Sequence, residues 1–314
     1  MAIGLFTPTW EPDQWLASFR REIPEVPIHA HPALGNPASI RYAVAWLPIA
    51  GSLQGLPNLK VIFSLGAGVD AILKDTTLPQ EIPIVRVVEP DLTHRMAEYV
   101  VMQVLMHHRQ QWRIEDNQRQ RKWDSFATPA ASDFRVGIMG FGVLGQDAGQ
   151  KLAMMGYKVA GWSHSRKHVP GIDSFAGESE LEPFLARTDI LVVLLPHTAA
   201  THGILNHALF AKLSRSGPFG APILINAGRG KLQKEADILA SLEAGELHGA
   251  SLDVFETEPL EEKSPLWSHP RVHVSPHSAA DSDPVHITRY IAHQIRRAEA
   301  GKPLENVVDR KRGY

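Results

Sequence analysis

The run Val136-Gly-Ile-Met-Gly140-Phe-Gly142-Val-Leu-Gly145 constrains the fold more than any other stretch of the chain. Its glycines follow the pattern G-x-G-x-x-G, after a predicted strand at Arg135–Met139 and ahead of a predicted helix at Gln146–Met155. In that setting each glycine has its own task. Gly140 permits a tight turn, Gly142 lets a pyrophosphate approach the backbone, and Gly145 lets helix and strand pack closely. The helix N-terminus offers unpaired N–H groups to an anion. The plain alternative is an ordinary tight turn between strand and helix. Strand, helix and a following strand together favour a dinucleotide site.

The rest of the chain repeats that alternation. Before the motif, strands are predicted at Ala2–Phe6, Tyr42–Trp46, Val61–Leu65 and Ile84–Val88. From Thr93 to Arg121 the pattern is helical, with Met96, Val100, Val101, Val104 and Leu105 at helical spacing. Further strands are predicted at Lys158–Trp162, Asp189–Leu195, Ile223–Asn226, Gly249–Val254 and Val272–Ser275. Helices are predicted at Ala236–Glu243 and from Pro284 to Ala300. Alternating β and α elements argue for parallel sheets in an α/β fold.

The chain has 314 residues, enough for two domains, and 44% of them are hydrophobic. Its 32 basic and 34 acidic side chains form no basic stripe, so neither nucleic acid nor a membrane surface is an expected partner. The absence of cysteine excludes disulfides, thiolate metal sites and a cysteine nucleophile. No metal is expected. The first residues lack a signal-peptide pattern, and no apolar run approaches a membrane span, so a cytoplasmic protein is the expectation.

The second strand of the motif ends in Gly161-Trp-Ser163-His-Ser165-Arg166-Lys167. An NAD site usually places an acid there to hold the ribose 2′-hydroxyl. Here two hydroxyls and two cations stand instead, which suits an added 2′-phosphate and favours NADP(H) over NAD(H). The alternative is that Arg166 and Lys167 are merely solvated loop charges.

Three later segments each follow a predicted strand: Asn226-Ala227-Gly-Arg229-Gly230, Leu252-Asp253-Val-Phe-Glu-Thr-Glu258 and Ser275-Pro-His277. Ligands of open α/β sheets sit at carboxyl ends of strands, so these side chains converge beside the dinucleotide. Reducing a ketone by hydride builds negative charge on its oxygen. A histidine can donate the proton, a carboxylate favours the charged imidazolium, and an arginine can clamp a substrate carboxylate. Taken singly, each residue also has an ordinary structural reading.

Together these segments, with Ser64-Leu-Gly66-Ala67-Gly68-Val69-Asp70 and the C-terminal Val308–Tyr314, resemble the D-2-hydroxyacid dehydrogenases over nearly the whole length. Within them the chain is most similar to the glyoxylate/hydroxypyruvate reductase A type. The resemblance implies two Rossmann-like domains, with a cofactor domain at 100–282 inserted into a substrate domain of 1–99 and 283–314. It implies Arg229 for substrate binding, His277 as proton donor and Glu258 as its partner. Backbone amides at Ala67, Gly68 and Val69 would hold the substrate carboxylate, and Trp46 would line the substrate pocket. Asp253 would meet the nicotinamide carboxamide. Further cofactor contacts are expected at Val143, Leu144, Pro196 and Ala227, beside the glycines and Ser163, Ser165, Arg166 and Lys167. Gly228 stands where the family often has Ala or Ser.

The expected activity is NADPH-dependent reduction of small 2-keto acids, glyoxylate or hydroxypyruvate, to glycolate or D-glycerate. Alternatives are another specificity of the family, such as D-lactate or phosphoglycerate, and a non-catalytic, cofactor-binding regulator of corepressor type. The resemblance also implies a homodimer, with the segment 100–125 and its Trp112 and Trp123 as the arm.

Overall fold

The computed structural model describes all 314 residues, and these divide into two compact units, Met1–Leu92 with Ser282–Tyr314 and Thr93–Asp281. The first division falls at Leu92–Thr93 rather than at 99–100. The side chain of Glu89 accepts a hydrogen bond from the Leu92 amide at 3.1 Å, which ties the start of the long helix to the chain before it.

In the first unit, β1 (Ala2–Phe6), β2 (Ile28–Ala30), β3 (Ile40–Ala45), β4 (Val61–Ser64) and β5 (Ile84–Val85) form a parallel sheet in the order β2-β1-β3-β4-β5. Strands β1 and β4 are buried along their whole length, as befits a sheet covered on both faces. Helix α1 (Asp13–Glu22) buries Trp15 and Phe19, and α2 (Asp70–Leu73) follows the Gly66–Val69 turn. Neither β2 nor α1 is legible in the sequence pattern. Strand β5 is shorter than the apolar run to Val88, because the Arg86 and Val87 amides leave the ladder for the carbonyls of Asn306 and Gly66.

The second unit opens with α3 (Pro90–His108), which begins in the first unit, and α4 (Gln111–Arg119). The sequence pattern predicts one helix over 93–121. The chain breaks instead at Gln110, which takes a left-handed φ of 52°. The two histidines just before the break are held sideways. His107 Nε2 pairs with Ser251 Oγ at 2.8 Å, and His108 pairs with Tyr157 Oη at 2.5 Å and with the Pro129 carbonyl at 2.8 Å. Helical spacing of apolar residues carries no trace of such tethers.

Seven further strands belong to this unit: β6 (Arg135–Met139), β7 (Lys158–Ser163), β8 (Asp173–Ala176), β9 (Ile190–Val193), β10 (Ile223–Asn226), β11 (Gly249–Leu252) and β12 (Val272–Val274). All pairings are parallel, in the order β12-β11-β10-β9-β6-β7-β8. Strand β8 is not apparent in the sequence pattern. The chain moves outward from β6 to β8, then returns to the other side of β6, which makes a switch point between β6 and β9. Along β9, Ile190 and Val192 pack with the α3 side of the sheet, while Leu191 and Val193 pack into the opposite layer. A strand buried on both faces reads as an unbroken apolar run for this reason.

Helix α5 (Val143–Met154) begins at the glycine motif; α6 (Leu181–Ala186), α7 (His207–Phe210) and α8 (Glu235–Glu243) connect later strands. Helix α9 (Pro284–Glu299) returns to the first unit, where Thr288 Oγ1 meets Ser18 Oγ of α1 at 2.7 Å. No helix is long and apolar enough to cross a membrane.

Candidate active site

The strand register brings the functional segments to one edge. Met139, Val193, Asn226, Leu252 and Val274 end their strands and pair across the sheet in successive ladders. The residues just after each of these strand ends therefore project from the same carboxyl edge.

At the end of β6, Gly140 has a φ of 98°, and a Cβ there would lie 2.6 Å from the Leu194 carbonyl. A Cβ on Gly145 would lie 2.5 Å from the Gly140 oxygen, so helix and strand could not pack as they do. A Cβ on Gly142 would meet nothing within 4 Å. That position borders open space at the N-terminus of α5, where Val143 and Leu144 begin the first turn with no side-chain cap. Backbone close to space, at a helix start and a switch point, fits a dinucleotide pyrophosphate.

Strand β7 ends at Ser163, whose hydroxyl donates to the Ser165 carbonyl at 2.8 Å; Lys167 Nζ reaches Ser165 Oγ at 3.1 Å. The Arg166 guanidinium donates to the Ser174 carbonyl and pairs with the Glu180 carboxylate. The other Glu180 oxygen accepts the Ala176 amide at 2.7 Å. Arg166, Lys167, Ser174, Phe175, Glu180 and Pro183 line an open groove of about 920 Å³. Beyond β9, the Pro196 carbonyl accepts from Thr201 Oγ1 at 2.8 Å, and beyond β10 the buried Ala227 continues the ladder through the Val193 carbonyl at 3.1 Å.

His277 and Glu258 meet. His277 Nδ1 lies 2.8 Å from Glu258 Oε2, and both side chains remain about one-third exposed, at 35% and 36%. The second carboxylate oxygen of Glu258 accepts the Phe255 amide at 3.0 Å. Burial pushes the Glu258 carboxyl upward, but the hydrogen bond and charge of His277, the Phe255 amide and the Arg229 charge outweigh it and hold the group below its ordinary value. Arg229 donates to the Gly228 carbonyl at 2.8 Å. Its turn is set by a buried amide pair: Asn226 Nδ2 donates to Gln233 Oε1 at 2.8 Å, and Asn226 Oδ1 accepts the Gly228 amide at 3.0 Å. Gln233 in turn donates to the Val254 carbonyl at 2.8 Å, joining the Arg229 turn to the segment that carries Glu258.

Asp253 is almost fully buried, and its carboxylate takes three protein donors: Ser275 Oγ at 2.6 Å and the amides of Ser278 at 2.9 Å and Ala279 at 3.0 Å. No cluster of three or more His, Cys, Asp or Glu side chains has the geometry to hold a metal ion.

In the first unit, Ser64 Oγ donates to the Gly68 carbonyl at 2.8 Å and accepts the Gly66 amide at 3.2 Å, which shapes the turn through Ala67, Gly68 and Val69. Trp46 lies against that turn, since a Cβ on Gly66 would come within 2.6 Å of its indole. Trp46 stacks on Trp10 at 5.2 Å, and Trp10 on Trp15 at 5.5 Å. Trp10 and Trp46 come after β1 and β3, where the strand order of this sheet reverses.

Residues 101–279 match the pattern of the D-isomer specific 2-hydroxyacid dehydrogenase NAD-binding domain. The chain belongs to the D-isomer specific 2-hydroxyacid dehydrogenases. It is 40% identical to glyoxylate/hydroxypyruvate reductase A of Klebsiella pneumoniae over the full length of both proteins. Its fold matches the crystal structure of an NADPH-dependent glyoxylate/hydroxypyruvate reductase from Sinorhizobium meliloti, in complex with NADP and sulfate, with a TM-score of 0.95, 47% identity, and coverage of 100% of this chain and 99% of that one. It also matches a D-isomer specific 2-hydroxyacid dehydrogenase from Xanthobacter autotrophicus, in complex with NADPH and MES, with a TM-score of 0.94, 37% identity and the same coverage.

For a D-isomer specific 2-hydroxyacid dehydrogenase, several supporting residues escape a reading of the sequence. Asn226, Gln233, Ser275, Tyr99, Glu180 and Trp10 act through contacts that only the folded chain makes. Asn226 and Ser275 at least stand beside recognised residues, at the ends of predicted strands.

Proposed function

We propose that this dehydrogenase reduces small 2-keto acids, glyoxylate or hydroxypyruvate, with NADPH. The observation that carries the reading is the 2.8 Å contact between His277 and Glu258, with the Arg229 charge beside it, on the strand edge that bears the glycine turn. The full-length likeness to reductases described as NADPH-dependent supports the choice of coenzyme and substrate.

The chemistry supplied by bound NADPH is a hydride to the keto carbon. Gly140, Gly142, Gly145 and the first turn of α5 at Val143 and Leu144 would hold the pyrophosphate, and Ser163, Ser165, Arg166 and Lys167 would hold the 2′-phosphate. Pro196, Ala227 and Asp253 would serve the nicotinamide. Glu258 occupies Nδ1 of His277, which leaves Nε2 to donate its proton to the developing alkoxide. Arg229 clamps the substrate carboxylate as a fork-shaped donor. In the first unit, the amides of Ala67, Gly68 and Val69 are donors of the kind that bind a carboxylate, and Trp46 lies against their turn. We also propose a homodimer through the segment 100–125, where Trp123 is fully exposed and Ile114 is 42% exposed.

A steady-state panel of 2-keto acids against NADPH and NADH tests the function. Turnover should be highest with glyoxylate or hydroxypyruvate and NADPH, and His277→Ala should lower kcat by roughly 10²–10⁴-fold while still binding coenzyme. Preference for pyruvate or a phosphorylated acid would replace the substrate assignment. No turnover with any acid would favour a regulator.

A further inference from the structure

His277 has a left-handed backbone, with a φ of 54°, which is uncommon for a residue with a side chain. Something must hold it there. The His277 amide donates to the Asp253 carbonyl at 2.8 Å, and the next two amides, of Ser278 and Ala279, both donate to the Asp253 carboxylate. The loop that presents the imidazole is therefore wrapped around one acidic residue.

That acid is itself held. Ser275 Oγ donates its one proton to Asp253 Oδ1 at 2.6 Å, so the 3.0 Å contact between Ser275 Oγ and Tyr99 Oη is donated by the phenol. Tyr99 is a buried residue of α3, so the chain of bonds runs from a long helix to the loop. None of these atoms is part of the His277–Glu258 contact.

We propose that Ser275 and Tyr99 are positioning residues for the reduction: through the Asp253 carboxylate they lock the His277 loop so that its imidazole keeps the orientation that Glu258 engages. The proposal rests on the function given above for His277. Displacing a proton donor by a fraction of an ångström costs turnover without loosening the coenzyme.

The test compares Ser275→Ala, Ser275→Thr and Tyr99→Phe in the full-length enzyme, with glyoxylate and NADPH. Ser275→Ala should lower kcat by roughly ten- to hundredfold and leave the KM for NADPH within about twofold. Ser275→Thr, which keeps the hydroxyl, should recover most of that loss. Tyr99→Phe should act in the same direction more weakly, and it serves if Ser275→Ala does not fold. Hydrogen exchange read by mass spectrometry should show the Ser278 and Ala279 amides less protected in Ser275→Ala. An unchanged kcat overturns the proposal. So does a raised KM for NADPH at constant kcat, which would make Ser275 a coenzyme-site residue. Unchanged exchange also overturns it. If the parent protein turns over no 2-keto acid, the function assigned to the site falls, and the exchange comparison still decides whether the clamp exists.

Discussion

Gly230 lies so close to Phe255 that a Cβ at position 230 would stand 1.7 Å from the Phe255 carbonyl oxygen. Gly230 adjoins Arg229, and the Phe255 amide holds Glu258. This contact therefore fixes the separation of two proposed catalytic segments. Gly230→Ala would press backbone against backbone, where no side chain can swing away. We expect a loss of stability of about 1–3 kcal/mol, the usual range for overpacking, and a fall in kcat/KM larger than the unfolded fraction explains. Urea titration alongside steady-state kinetics checks both.

His277, the Phe255 amide and Arg229 hold the Glu258 carboxyl below its ordinary value against burial. Glu258→Gln keeps the shape and removes the charge that faces His277 Nδ1. The kcat/KM for reduction should fall by roughly ten- to a hundredfold. Steady-state kinetics on both proteins measure the loss, and an unchanged kcat/KM would count against the pairing.

How much of this was legible in the sequence differs by kind of feature. The glycine motif and β6, β9, β10 and β11 were legible because strands buried on both faces read as apolar runs bounded by turns. The two edge strands differ: β12 was legible through its two valines, whereas β8, Asp173–Ala176, was not, because it opens on Asp173 and Ser174 and carries no fully buried residue. The trio Arg229, Glu258 and His277 was legible by residue type, each placed after a strand. The bonds that orient it were not. Ser275 needs Tyr99 from another helix, and Asn226 needs Gln233 from the next loop. Such pairings exist only once the register of the sheet has brought the strand ends together.

The break after α3 hides a different dependence. His107 and His273 face each other edge-on at 5.3 Å, and His248 stacks on Phe219 at 4.5 Å. A ring nitrogen of each histidine is buried without a partner. Burial is the first cause that pushes His107 down to about 3, with His273 and His248 adding to it, and His248 down to about 4, with Arg271 adding to it. Burial lowers His273 as well, against the pull of Glu115. These rings stay neutral in the folded protein but charge near 6.5 once unfolded. Their stabilising contribution is complete above that value and is lost as pH falls from 6.5 towards 4 and 3. For His107 alone, the loss by pH 5 is about 2 kcal/mol. Urea midpoints at pH 7.5 and pH 5 should differ accordingly, and His107→Gln should reduce the difference, leaving the part due to His248 and His273.

Coenzyme choice offers the most direct reading of the loop after β7. Arg166 is pinned by the Ser174 carbonyl and the Glu180 carboxylate, so its guanidinium is already ordered before any phosphate arrives. A planar donor fixed in advance loses little entropy when it binds an anion. Arg166→Ala should raise the KM for NADPH by roughly ten- to a hundredfold, the span of one or two charge-assisted hydrogen bonds, and leave the KM for NADH nearly unchanged. Raising ionic strength should weaken NADPH binding in the parent more than in the variant, because a screened charge pair is lost only once. Equal effects on both coenzymes would mean that Arg166 serves the loop, not the 2′-phosphate.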